Sequence, residues 1–338
     1  MIGNLNPNNI MTTSFFTECD ILITGGIGFI GSTIALRLVQ QGARVTIIDS
    51  QIPEFGGNPF NISGLEKKIQ LNLSDIRDSQ KMQDLVQGKD YLFNLAAQTS
   101  HMDSLQDPLT DLDINCRGQV TVLEACRQAN PDITIVFTST RQIYGKPRYL
   151  PVDEQHLVQP VDPNGITKAA GEWYHLFYDH VHGIKTSILR LTNTYGPRMR
   201  IRDARQNFLG WWVHLVLQGH PIDVWGGSQL RDFTYIDDVV DALMLAASNK
   251  SAYGQIFNVG GEEPVSLKSL AELLIQVNGE GRYFLREYPQ DRKRIDIGDY
   301  YTDYSKITKC LNWKPTVPLE EGLTRTLDYF RQYKDHYL

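Results

Sequence analysis

The chain alternates between short, unbroken apolar runs and longer stretches in which apolar residues recur every three or four positions. Runs of the first kind cover Asp20–Thr24, Arg44–Asp49, Lys68–Leu73, Tyr91–Ala96, Ile133–Ser139 and Thr186–Leu191, and they read as strands buried on both faces. Helical spacing runs over Phe29–Gln41, Asp78–Gln87, Pro108–Gln128 and Lys168–His182. Alternation of this kind predicts a parallel sheet with crossover helices. After Leu191 the texture changes. Aromatics, arginines and turn residues crowd Asn193–Asn207 and Trp225–Asp232, before helical spacing returns at Asp237–Ala247, Ser266–Val277 and Leu319–Gln332. The late apolar run Gln255–Val259 predicts a strand that rejoins the first sheet. The expected fold is α/β: a doubly wound parallel sheet with a smaller C-terminal α/β lobe. We expect a loose arm over 1–18, the sheet domain over 19–191 with about 236–260 rejoining it, and a substrate lobe mainly over 192–338.

The first predicted strand runs straight into Gly25-Gly26-Ile27-Gly28-Phe29-Ile30-Gly31, and a predicted helix follows at once. Glycines in that context let the backbone turn tightly and let a pyrophosphate approach the N–H groups at the helix start. This is the loop of a Rossmann-type dinucleotide site. Asp49 ends the second strand, where a carboxylate accepts hydrogen bonds from both ribose hydroxyls of NAD and repels the extra phosphate of NADP. No Arg or Lys follows between Ser50 and Leu65, so NAD is the expected cofactor.

Composition narrows the picture further. At 41% hydrophobic and 21% charged the chain reads as globular, and a net charge of −6 argues against nucleic-acid partners, which demand an excess of Lys and Arg. The four cysteines, Cys19, Cys116, Cys126 and Cys310, are scattered without metal-ligand spacing. They read as reduced thiols of a cytoplasmic protein, with no metal expected. No apolar run is long enough to span a membrane, and the first residues lack the pattern of a secretory signal.

Further motifs follow in order: Asp75-Ile76-Arg77-Asp78, Asn94-Leu95-Ala96-Ala97, Asn115, Thr138-Ser139-Thr140 running on to Tyr144-Gly145, Lys168, Arg190-Leu191-Thr192-Asn193, Arg231-Asp232-Phe233, and Arg294-Ile295-Asp296. Taken together with the GxxGxxG loop, they resemble the extended short-chain dehydrogenase/reductase superfamily, in particular its NAD-dependent nucleotide-sugar epimerases and dehydratases. The resemblance runs from about Ile21 to the C-terminus. It implies that Gly25, Gly28, Phe29, Ile30, Gly31 and Asp49 hold the cofactor, with Asp75 and Ile76 at the adenine. Ala96, Ala97 and Asn115 would lie along its path, and Lys168 at the nicotinamide ribose. Thr140 matches the catalytic Ser/Thr. Asn193, Arg231 and Arg292 or Arg294 match positions that hold a nucleoside diphosphate, a task suited to the bidentate, permanently charged guanidinium. The run Arg198, Arg200, Arg202 and Arg205 is a further candidate anion site. A homodimer is also implied, with its seam along the helices near Pro108–Gln128 and Lys168–His182.

Two departures matter. The superfamily's proton carrier is a tyrosine four positions before the lysine, and this chain has Asn164 there. An amide has no useful acid–base pKa near neutrality, although it can hydrogen-bond a hydroxyl or a water. Three readings stand. Another residue carries the proton, with Tyr144, His101, Asp103 and Ser100 as candidates in the loops after the fourth and fifth strands; the step needs less base strength; or the chain binds NAD or a nucleotide sugar without catalysis. The second departure is Arg141-Gln142, where 4,6-dehydratases carry Asp-Glu after the threonine. That disfavours dehydration and leaves Arg141 to face an anionic substituent such as a uronate carboxylate. The expected activity is NAD-dependent epimerisation of a nucleotide sugar, with another oxidoreductase or a decarboxylase as the alternative.

Overall fold

The computed structural model describes residues 15–288 and 296–338. Its central sheet has seven strands: β1 (Asp20–Thr24), β2 (Arg44–Ile48), β3 (Ile69–Asn72), β4 (Tyr91–Asn94), β5 (Thr134–Thr140), β6 (Thr186–Leu191) and the late strand Gln255–Val259. All pair in parallel, in the order β3-β2-β1-β4-β5-β6 and then the late strand, which joins β6 with Gln255 opposite Ser187. The unbroken apolar runs follow from burial on both sides. Ile21 and Ile23 of β1 enter one core and Leu22 the other, as do Phe93 and Leu92 of β4 and Val136 and Ile135 of β5.

Helices α1 (Phe29–Gln40), α2 (Ser79–Val86), α3 (His101–Gln106), α4 (Pro108–Leu112), α5 (Gly118–Ala129) and α6 (Pro163–His182) belong to the first part of the chain. After them come α7 (Phe208–Leu217), α8 (Ile236–Ser248) and α9 (Leu267–Asn278). Ile34 and Leu38 of α1 share one core with Val239 and Leu243 of α8. Met82 of α2, Val122 and Cys126 of α5, and Tyr178 of α6 share the other. The sheet is therefore covered on both faces, and truncating a side chain as enclosed as Phe93 should cost about 3–5 kcal/mol. Beyond the sheet, the parallel pair Ile222–Trp225 and Tyr283–Arg286 lies beside α9.

Several boundaries differ from expectation for identifiable reasons. The expected helix Pro108–Gln128 is broken by a π-helical turn, Asp113–Arg117, between α4 and α5. Helix α6 begins at Pro163 rather than Lys168, because the Asp162 side chain caps it by accepting from Gly165 N at 2.7 Å and Pro163 suits the first position. Asn164 thus sits on a helix. His101 does too, as the first residue of α3, which is capped by Ser100. Nor is the end of the expected arm loose, since Phe16 is fully buried against Tyr91 and Phe93. Among the described residues no helix is long and apolar enough to cross a membrane.

Candidate active site

Strand β1 lies between β2 and β4, so the chain leaves it in both directions and a crevice opens at the carboxyl ends. A cavity of about 520 Å³ occupies that crevice. Gly25 turns there with φ +68°, and its N–H donates to Ile48 O at 2.9 Å. A Cβ on Gly31 would stand 2.3 Å from Gly25 O, so only glycine lets α1 start this close to the loop. The first turn of α1 carries no acid, which leaves its positive end available to an anion. Gly28, Phe29, Ile30 and Asp49 line the same cavity. The Asp49 carboxylate accepts from Ile27 N at 3.1 Å and Gln51 N at 2.9 Å, while burial pushes its pKa up.

Asp75, Ile76, Ala96 and Ala97 continue the lining. Arg77 grips Asp75 at 2.9 and 2.7 Å, and these bonds hold that carboxyl below its ordinary pKa. An anion-cradling loop, a carboxylate at the end of β2 and an apolar wall at Ile76 fit a dinucleotide. Asn115 does not join them. It is fully buried, accepts from Gln98 N at 2.9 Å and donates to Gln98 O at 2.8 Å. The residue lies outside the cavity wall and pins the loop that carries Gln98, so the structure corrects its expected place beside the cofactor; Ile114 lines the cavity instead.

Thr140, Asn164, Lys168 and His101 all line the cavity. Thr140 ends β5, and its hydroxyl oxygen accepts from Gln142 N at 3.2 Å, which leaves its own proton to donate. Lys168 extends over the Phe137 ring at 4.3 Å and donates to Thr138 O at 2.5 Å. Burial lowers its pKa to about 8, against the raising effect of Glu172 and Asp111. Asn164 commits its amide protons to the scaffold, donating to Gln98 O at 2.9 Å and to Asp111 Oδ2 at 3.1 Å. Asp111 also accepts from Thr167 Oγ1 and from Asn115, and burial raises its pKa. Position 164 is therefore a strut.

Tyr144 stands apart from this group. Its ring is fully buried, and its hydroxyl donates to Asn258 Oδ1 and accepts from Arg190 at 2.7 Å each, behind the buried Arg190–Glu172 ion pair. Burial drives its pKa upward, so the structure removes Tyr144 from the candidate proton carriers. Ser100 is buried and caps α3, and Asp103 lies 3.8 Å from Arg205.

Next to Thr140 in the chain, Arg141 donates to Asn193 Oδ1 at 3.2 Å and stacks over Tyr300 at 5.1 Å. Its Nη1 is enclosed without a hydrogen-bond partner, and burial lowers its pKa. Arg231 bonds the carbonyl oxygens of Leu230 and Gly298 and lies 3.7 Å from Asp296. Burial, reinforced by the charge of Arg141, lowers Arg231 to about 10. Both arginines and Asn193 line the cavity, so a diphosphate would meet two desolvated guanidinium groups. Arg292 and Arg294 lie outside the described residues. In the Arg198–Arg205 run, Arg200 and Arg205 reach the cavity wall, whereas Arg198 turns to Asn61 O at 3.2 Å.

Position 142 and the helix cap gain importance that their sequence context understated. Gln142 Nε2 donates to Asp162 Oδ2 at 2.9 Å, and the same carboxylate oxygen lies 3.1 Å from His101 Nδ1. The pair Asp162-Pro163 carries a helix-start signal that could have drawn attention to this carboxylate.

Parallel topology and a glycine loop at the switch point define a dinucleotide-binding α/β protein of the Rossmann type. The chain belongs to the NAD dependent epimerase/dehydratase family, whose profile matches residues 21–260. NAD is its cofactor. It is 33% identical over 319 residues to a putative UDP-glucose 4-epimerase of Methanocaldococcus jannaschii, covering 92% of this chain and 98% of that one. It is 31% identical to UDP-glucuronic acid decarboxylase 1 of Xenopus tropicalis, over 95% of this chain and 75% of the other. The solved UDP-glucose 4-epimerase of Thermotoga maritima with UDP-glucose superposes with a TM-score of 0.84 at 30% identity, covering 93% and 99% of the two chains.

Proposed function

We propose that this protein is an NAD-dependent nucleotide-sugar epimerase that oxidises a ring carbinol transiently and restores it with inverted configuration. The observation that carries the reading is one cavity holding the dinucleotide loop, the Thr140–Lys168 pair and the buried Arg141 and Arg231. NAD, when bound, supplies a reversible hydride acceptor. The chain's own residues do the rest. Thr140 donates a hydrogen bond to the sugar oxygen, Lys168 adds positive charge beside it, and Arg231 with Asn193 anchors the diphosphate. Arg141 and Gln142 offer no carboxylic acid for removing water, which argues against 4,6-dehydration.

A second reading rests on the unpartnered Nη1 of Arg141. A buried guanidinium with a free donor suits a carboxylate on the sugar, and a uronate could lose that group after oxidation, as in a decarboxylase. To separate the readings, UDP-, GDP-, CDP- and dTDP-glucose and the corresponding hexuronates are incubated with the NAD-loaded protein and followed by NMR. Inversion at a ring carbon supports the epimerase, and loss of the carboxyl group from a hexuronate supports the decarboxylase. If no sugar changes, both readings fail. Undiminished turnover by Thr140→Val would refute the site assignment.

The proposal includes a homodimer. Helix α6 carries an exposed apolar stripe of Ile166, Trp173 and Phe177, and Leu109 on α4 is 75% exposed. A Trp173→Glu change should convert a dimer to monomers in sedimentation analysis.

A further inference from the structure

With Asn164 braced against Asp111 and Tyr144 sealed behind Arg190, the usual route for the hydroxyl proton is closed. Lys168 lines the cavity too, but its ammonium is held on Thr138 O, and among the described residues His101 is the imidazole that faces the cavity with an enclosed carboxylate behind it. His101 lines the cavity, and its side chain is 35% exposed. Behind it stands Asp162, whose side chain is fully enclosed. Its Nδ1 lies 3.1 Å from Asp162 Oδ2, bent away from the line of an ideal hydrogen bond. Such a contact is chiefly electrostatic and strengthens when the ring takes up a proton.

We infer that His101 is the acid–base group of this active site and that Asp162, held by Gln142, orients it. This inference rests on the epimerase reading and assigns its missing proton carrier. Three features of the scaffold support it. Asp162 is fixed from three sides, by Gly165 N at 2.7 Å, Gln142 Nε2 at 2.9 Å and the imidazole. Burial alone would raise its pKa, yet His101 and the other donors outweigh it and keep the carboxyl below its ordinary value. An anion facing Nδ1 keeps the proton of the neutral ring there and leaves Nε2 bare as the base. Gln142 also ties this pair to Thr140, because its backbone N–H donates to Thr140 Oγ1. The residue that replaces an acid of the dehydratases thus serves as a positioning residue here.

The step balances without another reactant. The substrate O–H bond breaks with its proton passing to Nε2, and the electron pair left on oxygen closes the carbonyl. NAD, when bound, would take the C–H pair as hydride and return it to the opposite face, and the imidazolium would then give its proton back to oxygen. His101, Asp162 and Thr140 end in the states in which they began.

The test compares His101→Gln and Asp162→Asn with the native NAD-loaded protein, on whichever sugar of the panel above is turned over. Asp162→Asn keeps an oxygen to cap α6, so folding is preserved. For His101→Gln, kcat should fall roughly 100-fold or more with KM nearly unchanged. Asp162→Asn should lower kcat about 10-fold or more. Free imidazole should restore part of the rate to His101→Ala. Independently of turnover, ¹⁵N NMR should show the neutral His101 ring protonated on Nδ1 in the native protein and redistributed toward Nε2 in Asp162→Asn. Near-native kcat in His101→Gln, or a native ring protonated on Nε2, would overturn the inference. If the native protein changes no sugar, the epimerase reading falls on that result, while the ring tautomer still decides whether the pair is built as described.

Discussion

The two ends of the cavity are built from different materials. At the glycine-loop end, Gly25, Gly28 and Gly31 contribute backbone, and the Asp49 side chain is fixed by two backbone N–H groups. At the reaction end everything depends on side chains: Thr140, Lys168, His101 and their buried supports. A backbone site tolerates little change, because a single Cβ at Gly31 would strike Gly25 O. A side-chain site can be rewired. Asn164 is a strut, and its neighbours on α6, Thr167 and Lys168, bond Asp111 and Thr138. If the proposed roles hold, NAD binding and proton transfer should be separable by substitution.

Variants at each end test that separation. The largest effect is expected for Thr140→Val, which removes the donor to the sugar oxygen and should lower kcat by roughly 100- to 1000-fold while NAD affinity, read by fluorescence titration, holds. A parallel loss of NAD affinity would mean that the two ends are coupled. Next, Asn164→Asp places a second buried carboxylate against Asp111 Oδ2 and should cost roughly 3 kcal/mol in urea denaturation. If Asn164 were free of the scaffold, stability would hardly change. Asp49→Asn should weaken NAD binding about 10-fold and narrow its margin over NADP, with kcat at saturating NAD little altered. Tyr144→Phe removes hydrogen bonds to Arg190 and Asn258 and should cost about 1–2 kcal/mol of stability while turnover stays within about threefold.

A further test concerns pH. Lys168 has its pKa lowered from 10.5 to about 8, chiefly by burial. Between those values the unfolded chain keeps a proton that the folded one has released, so folding stability gains as pH rises through that window. Urea midpoints of the cofactor-free protein should show this gain, and Lys168→Met should lack it.

The cofactor end was legible in the sequence because its signals are local. Strand, glycine loop, helix and Asp49 lie within one stretch of chain, and the strand Gln255–Val259 announced itself by an apolar run. Thr140 and Lys168 were singled out through the family resemblance, and both line the cavity. The proton corner was harder, since His101 and Asp162 are 61 positions apart and meet only because α3 and α6 both start at the crevice. Asn115 and Tyr144 misled for a related reason. Their chain positions lie beside the site, but the direction of each side chain is decided by buried partners, Gln98 for one and Arg190 for the other. Burial of Phe16 likewise depends on Tyr91 and Phe93, far along the chain.

The central claim is transient oxidation with return of the same hydrogen to the opposite face. It is tested most directly by running the sugar conversion in D₂O and reading the inverted carbon of the product by NMR. The account predicts an inverted carbon that keeps its original hydrogen, with no solvent deuterium. Deuterium at that carbon, or no inversion of any nucleotide sugar, would contradict it.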